Sequence, residues 1–233
     1  MPAAIYVLVC LPVMLSGPLF RDRTQAGQLL AQKLKHVSFG TNPLVLALPR
    51  GGVPVGFEIA RALHCDLDIF MVRKLGAPGE EELAFGAIAS GGVRVLNQAL
   101  IAELGITKDE IERATAREQL EIERRERLYR EGRSALPVRG RMAILVDDGL
   151  ATGASMLAAV RAVRDLDPKR IIVAVPVASH DVCEEFRSHA DEVICARMPE
   201  PFRAVGLWYK DFSQTSDTEV KELLDRSLTQ HVS

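Results

Sequence analysis

The chain has 233 residues, of which 29 are Lys or Arg and 31 are Asp or Glu, and its formal net charge is −2. A charge this close to zero supplies no field that concentrates nucleic acid or anionic lipid, so we expect neither as a partner. With 48% apolar and 26% charged residues, the composition excludes a disordered or collagen-like chain. The length suits one globular domain with elaborations.

The cysteines bear on the redox environment. Cys10, Cys65, Cys183 and Cys195 include no C-x-x-C pair. This usage is typical of a reduced intracellular protein, and it predicts no disulfide framework. We therefore expect a cytoplasmic location.

The N-terminus differs from the rest of the chain. Apolar side chains dominate residues 3–15, a run shorter than the roughly 20 residues that a membrane helix needs. One interpretation is a secretory signal, although nothing basic precedes the run and no good cleavage site follows it. The interpretation we prefer is that translation starts at Met14. We treat residues 1–18 as an apolar extension and residues 19–233 as a single domain.

Past residue 20 the pattern alternates between helical and strand periods. This alternation predicts an α/β fold with an open, mainly parallel twisted sheet flanked by helices. The predicted strands are short apolar runs at residues 44–48, 67–72, 143–146, 171–175 and 192–195. The predicted helices cover residues 22–34, 54–63, 155–166 and 181–189, and a last helix opens at Ser216.

Three segments stand outside this alternation. Residues 73–92 are rich in glycine and turn signals, and they predict a flexible lid. Residues 107–133 begin with a Thr107-x-x-Glu110 capping box and carry balanced charges four residues apart, which predicts a solvated charged helix. Residues 198–216 are aromatic and irregular, and they predict a C-terminal hood over the sheet.

The sharpest feature is the sequence AILVDDGLATGAS at residues 143–155. Asp147 and Asp148 follow a buried strand, so they fall at the carboxyl edge where open parallel sheets bind ligands. Two neighbouring carboxylates withdrawn from water repel each other and need polar partners. The vicinal hydroxyls of a ribose would satisfy both through charge-assisted hydrogen bonds.

The turn after the two acids predicts a phosphate site. It opens a helix, where free backbone N–H groups and the hydroxyls of Thr152 and Ser155 can hold an anion. No G-K-S/T sequence follows, so this is not a nucleoside-triphosphate loop. A plain strand–turn–helix is the alternative, but it leaves the second acid and the second glycine unexplained.

Residues 143–155 resemble the 13-residue signature of the type I phosphoribosyltransferases, an apolar strand and two acids followed by T-G-x-T/S. The sequence LPRGG at residues 48–52 resembles the pyrophosphate loop of that family, and RKLGAPG at residues 73–79 looks like adenine-type members. The similarity covers residues 19–228. It implies transfer of phosphoribose from phosphoribosyl pyrophosphate (PRPP) to a nitrogen base, with release of pyrophosphate.

The resemblance also implies roles for individual residues. The catalytic residues it implies are Asp147, Asp148, Arg73 and Lys74, the last two reaching the leaving pyrophosphate. The substrate-binding residues it implies are Pro49, Arg50, Gly51, Gly52, Asp147, Asp148, Gly149, Ala151, Thr152, Gly153, Ala154, Ser155 and Phe202. It further implies a cis peptide bond between Pro49 and Arg50.

Magnesium is the implied cofactor, held mainly by oxygens of the substrate, with a protein carboxylate contributing one ligand or a bridging water. Asp211 is a candidate for that carboxylate. The base would stack on Phe202 under the hood. The alternative is that Phe202, Trp208 and Tyr209 form a small satellite core. Ala151 stands where hypoxanthine-type members carry an acid, so the acceptor base stays open.

A non-catalytic regulator that binds PRPP is the alternative to an enzyme, because fold does not fix function. The presence of Arg50, Arg73, Lys74 and the glycine-rich segment favours the enzyme, since a sensor needs no machinery for a leaving group. A homo-oligomer is compatible with the sequence, which does not specify one.

Overall fold

The computed structural model describes residues 17–37 and 42–229, so the apolar run at residues 3–15 and the predicted start at Met14 lie outside it. The strands are β1 (Pro43–Ala47), β2 (Asp66–Ile69), β3 (Val72–Ala77), β4 (Glu80–Ala89), β5 (Arg94–Leu96), β6 (Met142–Val146), β7 (Arg170–Val177) and β8 (Glu192–Arg197). The α-helices are α1 (Arg23–Leu34), α2 (Gly52–Leu63), α3 (Gln98–Leu104), α4 (Lys108–Arg130), α5 (Ala154–Arg164), α6 (His180–Phe186) and α7 (Asp217–Thr229).

The larger sheet has five parallel strands in the order β2-β1-β6-β7-β8. Alternate residues of β1 face opposite layers, with Val45 and Ala47 packing toward α1, α2 and α7 and Leu44 and Leu46 packing toward α5 and α6. Burial on both faces explains why these strands are continuous apolar runs. The prediction of a helix-flanked parallel sheet is confirmed.

The order of the strands creates a crevice between β1 and β6. The chain leaves β1 toward β2 on one side and leaves β6 toward β7 on the other, so the winding reverses between these two neighbours. In open α/β sheets the carboxyl ends of the strands at such a switch point form the ligand crevice. Here those ends lead into residues 49–52 after β1 and residues 147–153 after β6.

The turn-rich prediction for residues 73–92 was wrong about secondary structure. Strands β3, β4 and β5 form a three-stranded antiparallel sheet, and the predicted strand at residues 67–72 ends at Ile69. Leu75 and Phe85 bury themselves in the same core as α4. Gly86 is a site of close strand approach rather than a turn, because an added Cβ would stand 2.6 Å from the carbonyl oxygen of Val95. Closure of this sheet as a lid stays a prediction.

The charged helix predicted within residues 107–133 is confirmed as α4. Thr107 caps it through the expected reciprocal bonds with Glu110. Its apolar stripe is buried at Ile122 and Tyr129. Among its charges spaced four residues apart, Glu121–Arg125 and Glu126–Arg130 form ion pairs.

The prediction that the chain lacks a disulfide was wrong. Cys183 of α6 and Cys195 of β8 are bonded, with their Cα atoms 6.8 Å apart. The pairing arises because α6 packs back on β8, which the sequence spacing does not reveal. Cys65 is buried, and burial raises the pKa of its thiol to about 12.

Across residues 17–37 and 42–229, no helix has the length and apolar character required to cross a bilayer.

Reduction of the Cys183–Cys195 bond should destabilise the protein, because a cross-link closing a loop of this size contributes about 2–3 kcal/mol. Calorimetry of the wild type and Cys195→Ser, each with and without reductant, checks this. On reduction, the melting temperature of the wild type should fall to that of the variant. The melting temperature of the variant should not change with reductant. A wild type insensitive to reductant would contradict the pairing.

Candidate functional site

Two carboxylates lie at the carboxyl end of β6, in the crevice between β1 and β6. The backbone N–H of Asp148 donates to Oδ1 of Asp147 at 2.8 Å. Burial raises the pKa of Asp147 well above its usual value, and the neighbouring charge of Asp148 adds to the rise. Burial also raises the pKa of Asp148, although the Arg23 guanidinium opposes that rise. The pair therefore has an unfavourable charge that a ligand could relieve.

Arg23, the first residue of α1, is the cation beside these acids. Its Nε donates to Oδ2 of Asp148 at 2.8 Å, and its Nη1 donates to the carbonyl oxygen of Ser213 at 2.7 Å. Sequence reasoning missed Arg23 because it belongs to no motif and lies 125 residues from its partner. The one available signal was a cation in the first turn of a helix, where the helix dipole disfavours it.

The loop after β1 packs directly against the acids. A Cβ on Gly51 would stand 2.0 Å from Oδ2 of Asp148, and one on Gly52 would stand 2.6 Å from the carbonyl oxygen of Val146. Both positions therefore require glycine. The peptide bond between Pro49 and Arg50 is cis, as expected from the resemblance.

The Arg50 side chain contacts the start of α7. Its Nη1 lies 3.6 Å from Oδ1 of Asp217. The same carboxylate oxygen accepts a hydrogen bond from the hydroxyl of Tyr129 at 2.6 Å, and burial raises the pKa of that phenol to about 12. The Arg50 guanidinium is therefore directed toward the start of α7 in this structure.

The turn after β6 leads into α5. Gly153 has a φ of +72°, which glycine adopts without strain, and it precedes the first residue of the helix. The side chains of Ala151, Thr152 and Ser155 are exposed. Oγ1 of Thr152 accepts from the N–H of Ala154 at 3.5 Å. This arrangement offers the N–H groups and hydroxyls that bind anions at helix N-termini.

The hood, residues 198–216, covers the acids from above. The hydroxyl of Tyr209 donates to the carbonyl oxygen of Asp148 at 2.6 Å. Burial raises the pKa of Tyr209. Val205 packs so closely over Gly149 that an added Cβ would lie 2.6 Å from its Cγ1. The hood is therefore held directly against the turn that carries the acids.

Phe202 belongs to the aromatic cluster of the hood. Its ring stacks on that of Trp208, with centroids 6.4 Å apart and an interplanar angle of 23°. Tyr209 and Phe20 complete the cluster. The satellite core proposed as an alternative is thus present, and stacking of a base on Phe202 stays a prediction.

Arg73 and Lys74 lie on β3, and their contact with a leaving pyrophosphate stays a prediction. Nε of Arg73 donates to Oε2 of Glu118 on α4 at 2.8 Å. Because successive strand residues point to opposite faces, Lys74 projects away from α4, and its side chain is exposed. The structure therefore separates two residues that the sequence placed in one role.

A magnesium ion would find hard oxygen donors at Asp147 and Asp148. Asp211 is exposed, and its Oδ1 accepts from the N–H of Ser213 at 2.9 Å, which lowers its pKa. Within the described ranges, no three metal-binding side chains cluster together. Such a set fits an ion held by one or two carboxylates and the phosphates of a substrate, as Mg²⁺ prefers.

Asp147→Asn should stabilise the free protein at pH 7. The folded-state pKa of Asp147 is raised, so its carboxyl favours folding when protonated and loses that contribution as pH rises through the folded pKa. The asparagine removes this ionisation and keeps an oxygen for the N–H of Asp148. The melting temperature should rise by about 2–4 °C, the change expected for about 1 kcal/mol.

Thermal melts from pH 7 to pH 4 provide the measurement, and the gain should shrink as pH falls. Asp165→Asn, at an exposed position at the far end of α5, serves as the matched control. An unchanged or lower melting temperature at pH 7 would contradict the electrostatic argument.

Comparison with known proteins agrees with this geometry. Residues 79–207, which include both acids, match the family model described as the phosphoribosyl transferase domain. The crystal structure of TT1426 from Thermus thermophilus is 43% identical, with a TM-score of 0.78 over 88% of this chain and 97% of that one.

Two proteins of Mycobacterium tuberculosis, each named a putative phosphoribosyl transferase, are 45% identical over 209 residues. The alignment covers 90% of this chain and 47% of theirs, so the chain spans about half the length of the curated relatives it matches. The family model and the site at the carboxyl edge lead to the same conclusion: the chain belongs to the phosphoribosyl transferase family.

Proposed function

We propose that the protein transfers phosphoribose from PRPP to a nitrogen base or amine and releases pyrophosphate. The observation that carries the proposal is the convergence of three features in one crevice. These are the acid pair after β6, the glycine loop after β1, and the N-terminus of α5. Each offers the chemistry that a different part of PRPP needs.

The ribose hydroxyls would bind at the acid pair. Oδ1 of Asp147 accepts one backbone N–H, and no other hydrogen bond to this carboxylate occurs among the described residues. Hydroxyl donors would form charge-assisted bonds to it and compensate for its burial. The buried charge pair thus gains most from a ligand with neighbouring hydroxyls.

The 5-phosphate would bind at residues 151–155. α5 has 11 residues, and the N–H groups of its first turn have no partner within the helix. The aligned peptide dipoles favour an anion there, and the hydroxyls of Thr152 and Ser155 are exposed beside it.

The pyrophosphate would bind at residues 49–52. The close approach of Gly51 and Gly52 to the end of β6 leaves their backbone next to the acids. In the reaction the bond from the anomeric carbon to pyrophosphate breaks, and its electron pair leaves on the pyrophosphate oxygen. The acceptor nitrogen donates its lone pair to that carbon and then loses its proton. Bound Mg²⁺ would neutralise charge on the leaving pyrophosphate.

The acceptor would enter beneath the hood. Tyr209 of the hood lies against Asp148, and Val205 lies over Gly149. Phe202 is a half-buried aromatic residue of the hood, and an acceptor would stack on its ring. The exposed Ala151 supplies no acid to a purine nitrogen. Purines, pyrimidines and small amines therefore all stand as acceptors to be screened. A cytoplasmic location and a homo-oligomer stay predictions.

A PRPP-binding regulator without turnover is the second candidate. It is favoured by the ion pair between Arg73 of β3 and Glu118 of α4, which engages the guanidinium of a proposed leaving-group residue. If β3 and β4 do not rearrange, the crevice lacks one cation for the departing pyrophosphate.

Calorimetric titration of PRPP with Mg²⁺, followed by a pyrophosphate-release screen over purines, pyrimidines and small amines, tests both candidates. We expect binding and release by the wild type. The variant Asp147→Asn/Asp148→Asn should lose at least about tenfold in affinity, because a hydrogen bond to a charged group contributes about 1.5–3 kcal/mol.

Asp165→Asn again serves as the control and should bind like the wild type. Absence of PRPP binding by the wild type would overturn both candidates. Binding without release for every acceptor would favour the regulator.

A further inference from the structure

We infer that Arg23 is a positioning residue that fixes Asp148 and joins it to the hood, so that Asp147 is the acid that exchanges partners with the ligand. The inference rests on the proposed function, since it divides the work of the two acids toward PRPP. It gives them different roles, whereas the motif alone treats them alike.

The first observation is that Oδ2 of Asp148 is enclosed by protein. Nε of Arg23 donates to it at 2.8 Å, and the ion pair is largely withdrawn from water, with side-chain exposures of 12% and 15%. A Cβ on Gly51 would stand 2.0 Å from this oxygen and 3.2 Å from Nε of Arg23. The oxygen is therefore held between α1 and the loop after β1. A ligand that contacted it would have to break the ion pair with Arg23 or move the backbone at Gly51.

The second observation is that Arg23 is itself held by the hood. Its guanidinium lies 4.0 Å from the centroid of the Phe212 ring and 6.0 Å from that of Tyr209, within the range of cation–π attraction. Its Nη1 donates to the carbonyl oxygen of Ser213. Tyr209 in turn donates to the carbonyl oxygen of Asp148. Arg23 and Tyr209 thus form two separate links from the hood to the same residue.

The third observation is the position of Arg23 on its helix. Asp22 caps α1 by accepting from the N–H of Gln25, and Arg23 follows at the positive end of the helix dipole. A cation at this end of a helix is repelled by the helix dipole. The ion pair with Asp148 compensates for the unfavourable position of Arg23 at the N-terminus of α1. An arginine at this position is therefore explained by its contact with the acid and not by a preference of the helix.

The two acids differ in their charged surroundings. The charged and titratable groups that face the pair are Arg23 from α1 and Tyr209 from the hood. Arg50 from the loop after β1 is paired with Asp217. In the part of the chain that the structure describes, Asp147 accepts the N–H of Asp148 and makes no ion pair. With Arg23 in place, the two carboxylates and one guanidinium carry a single net negative charge.

Removal of the cation should weaken ligand binding. Without Arg23, Oδ2 of Asp148 loses its charged hydrogen-bond donor, and the link from α1 to the carbonyl oxygen of Ser213 is lost. A lysine at this position keeps the positive charge, so it should restore part of the affinity. A residue that merely supports the fold would lower the melting temperature without changing the affinity of the folded protein for PRPP.

The test is calorimetric titration of PRPP with Mg²⁺, with thermal melts of the same proteins to measure their stability. The proteins are the wild type, Arg23→Gln, Arg23→Lys and the control Arg21→Gln, which alters an exposed arginine two residues away. We expect Arg23→Gln to weaken PRPP binding by about tenfold or more, the size expected for loss of a hydrogen bond to a charged group. Arg23→Lys should recover part of the affinity, and Arg21→Gln should follow the wild type.

The outcomes separate the two claims. If the wild type does not bind PRPP, the proposed function fails, and the division of roles fails with it. If the wild type binds and Arg23→Gln shows the same affinity as Arg21→Gln, or Arg23→Lys recovers none of the lost affinity, only the role of Arg23 is overturned. If Arg23→Gln does not fold, Arg23→Gln/Asp148→Asn should restore folding because the uncompensated carboxylate is gone. Failure of that rescue would also overturn the inference.

Discussion

The main constraint on this structure is a pair of neighbouring carboxylates, Asp147 and Asp148, withdrawn from water at the carboxyl end of β6. Their charge opposes folding, so other elements must compensate for it. Arg23 neutralises Asp148, and Gly51 permits the loop after β1 to pack against that carboxylate. The location follows from the winding of the sheet, because the reversal between β1 and β6 opens the crevice there. The site is thus costly to fold and suited to bind a ligand that supplies hydroxyls.

The segment that leads into α1 and the hood together complete this site. Phe20 bridges to Tyr209, and the N–H of Lys210 donates to the carbonyl oxygen of Phe20 at 2.8 Å. This pairing brings the start of α1 next to the hood, which is why Arg23 reaches both Asp148 and Ser213. The aromatic cluster therefore places Arg23 beside Asp148, in addition to packing the hood against the rest of the protein. A hood tied in this way connects the environment of an acceptor with the geometry of the acid pair.

The sequence was informative where the signal is local. Short apolar runs predicted the parallel strands, and the adjacent acids before a glycine turn predicted the edge of the sheet where the site lies. Prediction failed where partners are distant or a residue type has two uses. Gly86 resembled a turn signal but is a point of close strand approach, so the sheet of β3–β5 was missed. Arg23 was missed because its partner is 125 residues away, and the disulfide of Cys183 depends on the packing of α6 on β8.

The central claim is that one crevice binds PRPP through the acid pair, the glycine loop and the N-terminus of α5. A crystal structure of the wild type with PRPP and Mg²⁺ tests it most directly. The account predicts ribose hydroxyls within hydrogen-bond distance of Asp147, the 5-phosphate at residues 151–155, and the pyrophosphate at residues 49–52. A ligand bound elsewhere, or a ribose whose hydroxyls avoid Asp147, would contradict it.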